Sequence, residues 1–126
     1  MRLLPLLLIL AGCAAPGMDG PSRDQEALSR ELADRSAGTP QNCISSRSPG
    51  TLQVVDERTV VFRDVDTIWV SRLPGACPGL RPLDTLIVET QGSQYCRSDR
   101  FRSIQPGTSI PGPYCVLGPF TPHGRR

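Results

Sequence analysis

The sequence contains very few of the residues on which metal sites and catalytic triads depend. It has one histidine, His123, and its five cysteines form no C-x-x-C pair. A zinc site would therefore need mostly thiolates drawn from distant segments. A Ser-His-Asp arrangement would have to use His123, which lies in a short segment next to the C-terminus that we expect to be a tail. We predict no catalytic residue, no metal site and no cofactor.

Lysine is absent from the chain, and aromatic residues make up only 5% of it. All 14 basic residues are arginines, and the formal net charge of +2 is too small to predict nucleic-acid binding. Prolines and glycines, in contrast, number 13 and 12. This composition favours short strands joined by many turns over a bundle of helices.

The chain also lacks an apolar run that approaches the roughly 20 residues needed to span a bilayer. Its apolar stretch over residues 3–10 follows Arg2 and ends in Leu-Ala-Gly-Cys at Cys13. This pattern resembles the lipobox of bacterial lipoprotein signal peptides. The resemblance implies a signal peptide over residues 1–12, lipid attachment at Cys13 and a mature protein outside the cytoplasm. Cleavage of an ordinary secretory signal near Ala14 is the alternative.

Lipid chains on Cys13 would make the membrane the first partner of this protein. A single acyl chain anchors only marginally, whereas the several chains of such lipoproteins give stable attachment. By resemblance to them, Ala14 directly after the cysteine implies the outer membrane, with the protein facing the periplasm. An envelope polymer or an envelope protein is the second candidate partner.

Residues 13–42 are predicted to form a lipidated, flexible tether with a short helix near 23–37. Ser22 and Gln25 fit a capping box at the start of this helix. Gly38 and Pro40 are the residues expected after its end. Its apolar face is thin, and a short isolated helix is marginal in water, so we expect a solvated spacer. Docking of the helix onto the following domain is the alternative.

Residues 43–126 are predicted to form an all-β domain, a small antiparallel barrel or curled sheet of five to six short strands. Runs of β-branched residues separated by turn residues support this prediction. The first three predicted strands form a meander. The predicted strands cover residues 52–55, 59–62, 67–71, 83–90, 95–104 and 114–117.

Four cysteines remain after Cys13, and an even count in a small exported domain indicates two disulfides. They are Cys43, Cys77, Cys96 and Cys115. Three pairings are open, and the sequence cannot choose among them. We expect Cys77 to pair with Cys96 across the fourth strand, and Cys43 to pair with Cys115 and join the ends of the domain. Each bridge would contribute about 2–4 kcal/mol, which is a large share of the stability of such a small domain.

Several cysteine and turn motifs occur together in the β region. They are Asn42-Cys43-Ile44, Cys77-Pro78-Gly79-Leu80, Cys96, and Cys115-Val116-Leu117-Gly118. This set is similar to that of a bacterial domain-of-unknown-function family of small exported proteins, many of them lipoproteins. The resemblance covers about residues 42–121. It implies a scaffold and a compartment, and it implies no activity.

The segment Arg97 to Arg102 is the candidate anion-binding site. If it is a strand, Arg100 and Arg102 share one face, while Asp99 and Phe101 share the other. Two neighbouring guanidinium groups can bind phosphate or carboxylate groups. Alternatively, Arg97, Arg100 and Arg102 are solvated side chains that pair with nearby carboxylates.

Three further side chains carry separate expectations. A carboxylate on the face of Phe101 is partly buried, so we expect Asp99 to accept hydrogen bonds from an arginine or from turn amides. Trp69 and Tyr114 are expected in the core, because so few aromatics are present to fill it.

The sequence therefore predicts a non-catalytic binding or structural module of the cell envelope. It leaves a small periplasmic hydrolase, or a metal- or redox-active domain, as the alternative. The hydrolase would depend on a carboxylate such as Asp99. The redox domain would require free thiols among the four later cysteines.

Overall fold

The computed structural model describes Gly12 and residues 20–126. The predicted signal peptide, apart from Gly12, and the predicted lipid attachment site Cys13 lie outside the described residues. Within residues 20–126 the chain forms one α-helix and ten β-strands, arranged in three antiparallel sheets. The predicted β-rich class is confirmed. The strands are more numerous than five or six, however, and the sheets of the described residues do not close into a barrel.

The elements follow one another in chain order. They are α1 (Arg23–Leu32), β1 (Arg35–Ala37), β2 (Cys43–Ser45), β3 (Leu52–Asp56), β4 (Thr59–Arg63), β5 (Thr67–Arg72), β6 (Thr85–Val88), β7 (Gln94–Cys96), β8 (Arg100–Ile104), β9 (Cys115–Val116) and β10 (Phe120–Arg125).

The largest sheet has five strands in the order β1-β10-β5-β4-β3. Its β3, β4 and β5 form the predicted meander, because each run of β-branched residues ends at a short polar turn. In β4, the four residues from Thr59 to Phe62 are all buried. A strand buried in this way has both faces covered, which explains its nearly continuous apolar sequence.

The expected C-terminal tail is instead an inner strand of this sheet. Strand β10 pairs with β5 on one side and with β1 on the other. Pro122 lies within β10, and its carbonyl accepts a hydrogen bond from the Gly38 amide at 2.8 Å. Proline within a strand argues against an inner position, because it cannot donate to the ladder. The sequence-based expectation of a tail was wrong for this reason.

The predicted helix over 23–37 is also shorter than expected. Helix α1 ends at Leu32, and the chain then enters β1, which pairs with β10. Leu28 is buried, and Leu32 packs beside it against the sheet. The helix is therefore docked onto the domain, which was the alternative to a solvated spacer. Pairing with a distant strand satisfies the backbone groups that a longer helix would have satisfied locally.

The remaining strands form a two-stranded sheet, β2-β7, and a three-stranded sheet, β6-β8-β9. The single strand predicted over 95–104 is divided by a turn between β7 and β8. Ser98 has a left-handed backbone with φ 71° in this turn. The Asp99 carboxylate accepts a hydrogen bond from the Cys96 amide at 2.8 Å, which is the turn-amide partner expected for it.

Two disulfides are present, as predicted, but both pairings differ from those expected. Cys43 is bonded to Cys96, and Cys77 is bonded to Cys115. Cys43 and Cys96 face each other in the β2–β7 ladder. Strand β2 was not predicted, so this pairing could not be anticipated. A two-stranded ribbon is marginal by itself, and the covalent bond between its strands stabilises it.

The five-stranded sheet separates two apolar clusters. The larger cluster lies between this sheet and the smaller sheets and contains Ile44, Leu52, Val54, Val60, Phe62, Leu73, Cys77, Leu80, Phe101, Leu117 and Phe120. The smaller cluster lies beneath α1 and contains Leu28, Val55, Val61, Ile68 and Val70. Alternation along β3, β4 and β5 sends successive side chains to the two clusters.

The backbone of the turn between β9 and β10 passes very close to the backbone of β5. The Gly118 amide donates to the Ser71 hydroxyl at 3.0 Å, and this hydroxyl donates to the Gly118 carbonyl at 3.0 Å. A β-carbon at position 118 would overlap the carbonyl oxygen of Arg72. Glycine is therefore required here by close backbone approach. This crossing joins the three-stranded sheet to the centre of the five-stranded one.

Candidate anion-binding site

Strand β8 presents two of the three predicted arginines on one face. Phe101 and Ser103 are 1% and 9% exposed and point inward. Arg100 and Arg102 alternate with them along the strand and therefore point to the outer face of the three-stranded sheet. The predicted alternation along this segment is confirmed from residue 100 onward.

Tyr114 lies beneath both guanidinium groups. The ring centroid is 4.5 Å from the Arg100 guanidinium carbon and 4.7 Å from that of Arg102. Both distances are within the range of cation–π attraction. Tyr114 is 52% exposed, so its predicted place in the core was wrong, whereas Trp69 does pack against the larger cluster. The face of the tyrosine ring attracts both guanidinium groups and so offsets part of the repulsion between the two like charges.

Arg100 is paired with the carboxylate of Glu89, the residue directly after the neighbouring strand β6. Its Nη2 is 2.9 Å from Glu89 Oε2, and its Nε is 3.1 Å from the same atom. The hydrogen bonds to Glu89 raise the pKa of Arg100 above its ordinary value. The two side chains are 56% and 50% exposed. An ion pair so open to water contributes little stability, so an incoming anion can replace the carboxylate at small cost.

Arg102 is held by backbone carbonyls. Its Nε donates to Gly112 at 2.8 Å, and its Nη2 lies 3.4 Å from the carbonyl oxygen of Pro111. The Gly112 amide in turn donates to the Ser103 carbonyl at 2.8 Å. The loop before Tyr114 is thereby attached to β8, and the orientation of Arg102 is set before any ligand arrives.

Arg97, the third predicted residue, does not join this cluster. It lies in the turn before β8, and its amide donates to the Asn42 carbonyl at 2.6 Å. Within residues 20–126 the Tyr114 ring has cation–π contacts only with Arg100 and Arg102.

Apolar side chains flank the two arginines on the same outer face. Ile87 faces Arg102 and Val116 faces Arg100 in the strand pairings. Ile87 and Val116 are 48% and 36% exposed. With Tyr114 they form a partly apolar surface around a net positive charge, because Glu89 balances one of the two arginines. We call this surface, made of Ile87, Glu89, Arg100, Arg102, Tyr114 and Val116, the arginine face.

Sequence reasoning missed Glu89 and Tyr114 as parts of this site. The Glu89 amide donates to the Arg100 carbonyl at 2.8 Å, so the two residues are opposed by the β6–β8 pairing. A correct antiparallel register between these two strands would have found Glu89. Nothing local in the sequence distinguishes Tyr114 from a core aromatic.

The other residues that were considered for catalysis or metal binding lie elsewhere in the fold. His123 lies in β10, and burial together with Arg72 and Arg35 lowers its pKa. Among the residues that the structure describes, no three His, Cys, Asp or Glu side chains are grouped closely enough to hold a metal ion. No helix in the same part of the chain is long and apolar enough to cross a membrane.

Comparison with known proteins adds no relative: no family model, no curated protein and no solved structure matches this chain. The resemblance to small exported proteins therefore remains a prediction. The two disulfides indicate an oxidising, extracytoplasmic compartment.

Proposed function

We propose that this protein is a lipid-anchored, non-catalytic binding module of the cell envelope that captures an anionic group on the arginine face. The observation that supports this proposal is the pair of guanidinium groups over one exposed ring, at 4.5 and 4.7 Å from its centroid. The anchor is Cys13, in the outer membrane, and the domain faces the periplasm. The bound group belongs to an envelope polymer or an envelope protein.

The two arginines have separate tasks in this proposal. Arg102 is oriented by the Gly112 carbonyl and provides a fixed donor. Arg100 exchanges its partner: it releases the Glu89 carboxylate and bonds instead to a phosphate or carboxylate oxygen of the ligand. A charge-assisted pair with a ligand oxygen replaces a similar pair with Glu89, so the exchange requires little reorganisation. Ile87 and Val116 add apolar contact beside the anion.

The test is a comparison of two double variants that lose the same charge. Arg100→Ala with Arg102→Ala removes the site, whereas Arg47→Ala with Arg58→Ala removes two exposed arginines elsewhere. Salt-dependent retention on isolated envelope fragments is expected to be lost in the first variant and kept in the second. Equal retention of both variants would contradict the proposal. Thermal unfolding of each variant shows whether the domain remains folded.

The proposed lipid anchor at Cys13 is tested separately, by non-reducing peptide mass spectrometry on protein extracted from membranes of its host. We expect acyl chains on Cys13 and the bridges Cys43–Cys96 and Cys77–Cys115. An unmodified Cys13 would reject the lipid anchor. Free thiols at the four later cysteines would support the redox alternative instead.

A further inference from the structure

A groove of about 580 Å³ follows the outer edge of β3. One wall is formed by the first turns of α1, with Asp24 and Leu28. The other wall is formed by β6 and the turn before it, with Leu83 and Leu86. The floor is β3 itself. This groove is separate from the arginine face, which lies on the outer side of β8.

Both strands that border the groove are edge strands. β3 is the last strand of the five-stranded sheet, and β6 is the last strand of the three-stranded sheet. Among the described residues, no other segment forms a ladder with the outer edge of β3. Its sequence, Leu-Gln-Val-Val-Asp, carries neither the lysine nor the proline with which proteins often protect such edges. Its outward N–H and C=O groups are therefore a template for another strand.

Leu83, at the rim of the groove, is held in an unfavourable conformation. It has φ 76° and is 85% exposed. It follows Pro82 in a turn that is closed by the Asp84 amide donating to the Arg81 carbonyl at 3.2 Å. Glycine or asparagine is the usual residue at this position of such a turn. A leucine there combines backbone strain with an apolar side chain exposed to water, which points to a role in contact with a partner.

The charge in the groove is negative. Asp84 is only 7% exposed, and its carboxylate accepts a hydrogen bond from the Arg81 amide at 3.0 Å. Within residues 20–126 neither Asp84 nor Asp24 forms an ion pair. The one arginine that lines the groove, Arg63, is neutralised by Glu31 at 2.8 Å. A cationic side chain would therefore be attracted to the groove.

We propose that the β3 groove binds an extended segment of a partner protein, which adds a strand to the edge of β3 and carries alternating apolar and basic side chains. The apolar side chains contact Leu83 and Leu28, and the basic ones approach Asp24 and Asp84. The backbone of the segment bonds to the open edge. A second copy fits less well, because a two-fold contact would bring the same carboxylates together.

The probe is a short synthetic peptide of alternating valine and lysine, added to the full-length protein in detergent. Binding is measured by calorimetry, and hydrogen exchange is followed at Leu52–Asp56. We expect binding accompanied by slower exchange at β3 amides. A peptide with glutamate in place of lysine should bind at least about tenfold more weakly, which corresponds to about 1.4 kcal/mol. The same peptide with all its backbone nitrogens methylated should also lose binding, because it has no N–H group left to donate to the β3 edge.

Variants of the rim separate docking from folding. Leu83→Asn keeps the turn and removes the apolar contact, so the peptide affinity should fall about tenfold while the melting temperature does not fall. Ile110→Asn is the matched control, because Ile110 is 80% exposed in a loop outside the groove. Arg100→Ala with Arg102→Ala should bind the peptide normally, so this proposal and the proposed function can fail independently.

Three results would overturn the proposal. The first is no binding of the valine–lysine peptide. The second is equal binding by the N-methylated peptide or by Leu83→Asn, since neither ladder formation nor the rim would then matter. The third is self-association that protects β3 in the absence of peptide, which would assign the groove to a second copy of the chain.

Discussion

The five-stranded and the three-stranded sheets differ in how many of their faces are covered. The five-stranded sheet has the larger apolar cluster on one side and α1 on the other. The three-stranded sheet buries the Phe101 side of β8 and leaves the opposite side to solvent. Side chains on the first sheet are therefore used for packing, whereas those on the outer face of the second are free to meet a ligand.

The two sheets also differ in the acidic partners that are available to their arginines. Arg63, at the end of β4, is occupied by Glu31 of the helix that covers its sheet, and it also contacts Gln53. Arg100 has only the exposed Glu89 as an acidic partner among the described residues. The helix that covers the first sheet supplies a carboxylate to its arginine. On the uncovered face of the second sheet, the arginines stay accessible to solvent or to a ligand.

The largest expected effect is at the crossing that joins the two sheets. Gly118→Ala should lower the free energy of unfolding by at least about 3 kcal/mol, because the new methyl group overlaps the Arg72 carbonyl and both backbones are packed. Urea unfolding measures this loss. Gly124→Ala is the matched control, since open space surrounds a β-carbon there. A loss below about 1 kcal/mol at Gly118 would show that the crossing is looser than described.

The next largest effect on the free energy of unfolding is expected when one apolar side chain is shortened on the covered face and another on the open face. Leu28→Ala should cost about 2–3 kcal/mol, because Leu28 is 2% exposed beneath α1. Ile87→Ala, on the open face, should change the free energy of unfolding by less than about 0.5 kcal/mol. If both variants unfold at the same urea concentration as the parent, α1 does not contribute to the stability of the domain.

A smaller effect is expected from pH at the five-stranded sheet. The pKa of folded His123 is lowered from its ordinary value of 6.5 by burial and by Arg72 and Arg35. The unfolded chain then binds a proton more readily, so stability falls as the pH drops below about 6.5 and continues to fall until the folded pKa is passed. His123→Gln should flatten this part of the pH profile. Glu31, whose pKa is lowered from 4.5, adds a separate loss at more acidic pH.

The smallest effect on stability is expected on the open face. Glu89→Gln removes the exposed partner of Arg100 and should change the free energy of unfolding by less than about 0.5 kcal/mol. Because Arg100 no longer has a competing carboxylate, retention on envelope fragments should persist to higher salt. Weaker retention in this variant would contradict the exchange of partners at Arg100.

Local patterns predicted the elements whose partners are close in sequence. The β3–β4–β5 meander was found because its strands are consecutive and its polar turns are short. The inward position of Phe101 followed from alternation in a strand whose neighbours were unknown. Asp99 was expected to bind an arginine or turn amides because its carboxylate is partly buried, and it accepts a hydrogen bond from the Cys96 amide.

Elements with distant partners were missed or assigned incorrectly. β1 and β10 are more than 80 residues apart in sequence, with Ser36 paired to Gly124, and neither has a strong β-pattern of its own. The disulfide pairings failed for the same reason, because Cys43 meets Cys96 only through the unpredicted β2. Tyr114 was assigned to the core because so few aromatics are present to fill it. Its exposure depends instead on which face the loop before it reaches.

The sequence by itself determined the β-rich class, the presence of two bridges and the face that Arg100 and Arg102 share, since each depends on composition, cysteine count or the two-residue period of a strand. Only the tertiary structure decided which cysteines bond, that the final segment is an inner strand, and that Tyr114 and Glu89 meet the two arginines. These features depend on which strands become neighbours. That choice is made by the burial of apolar side chains from the whole chain, and no local pattern contains it.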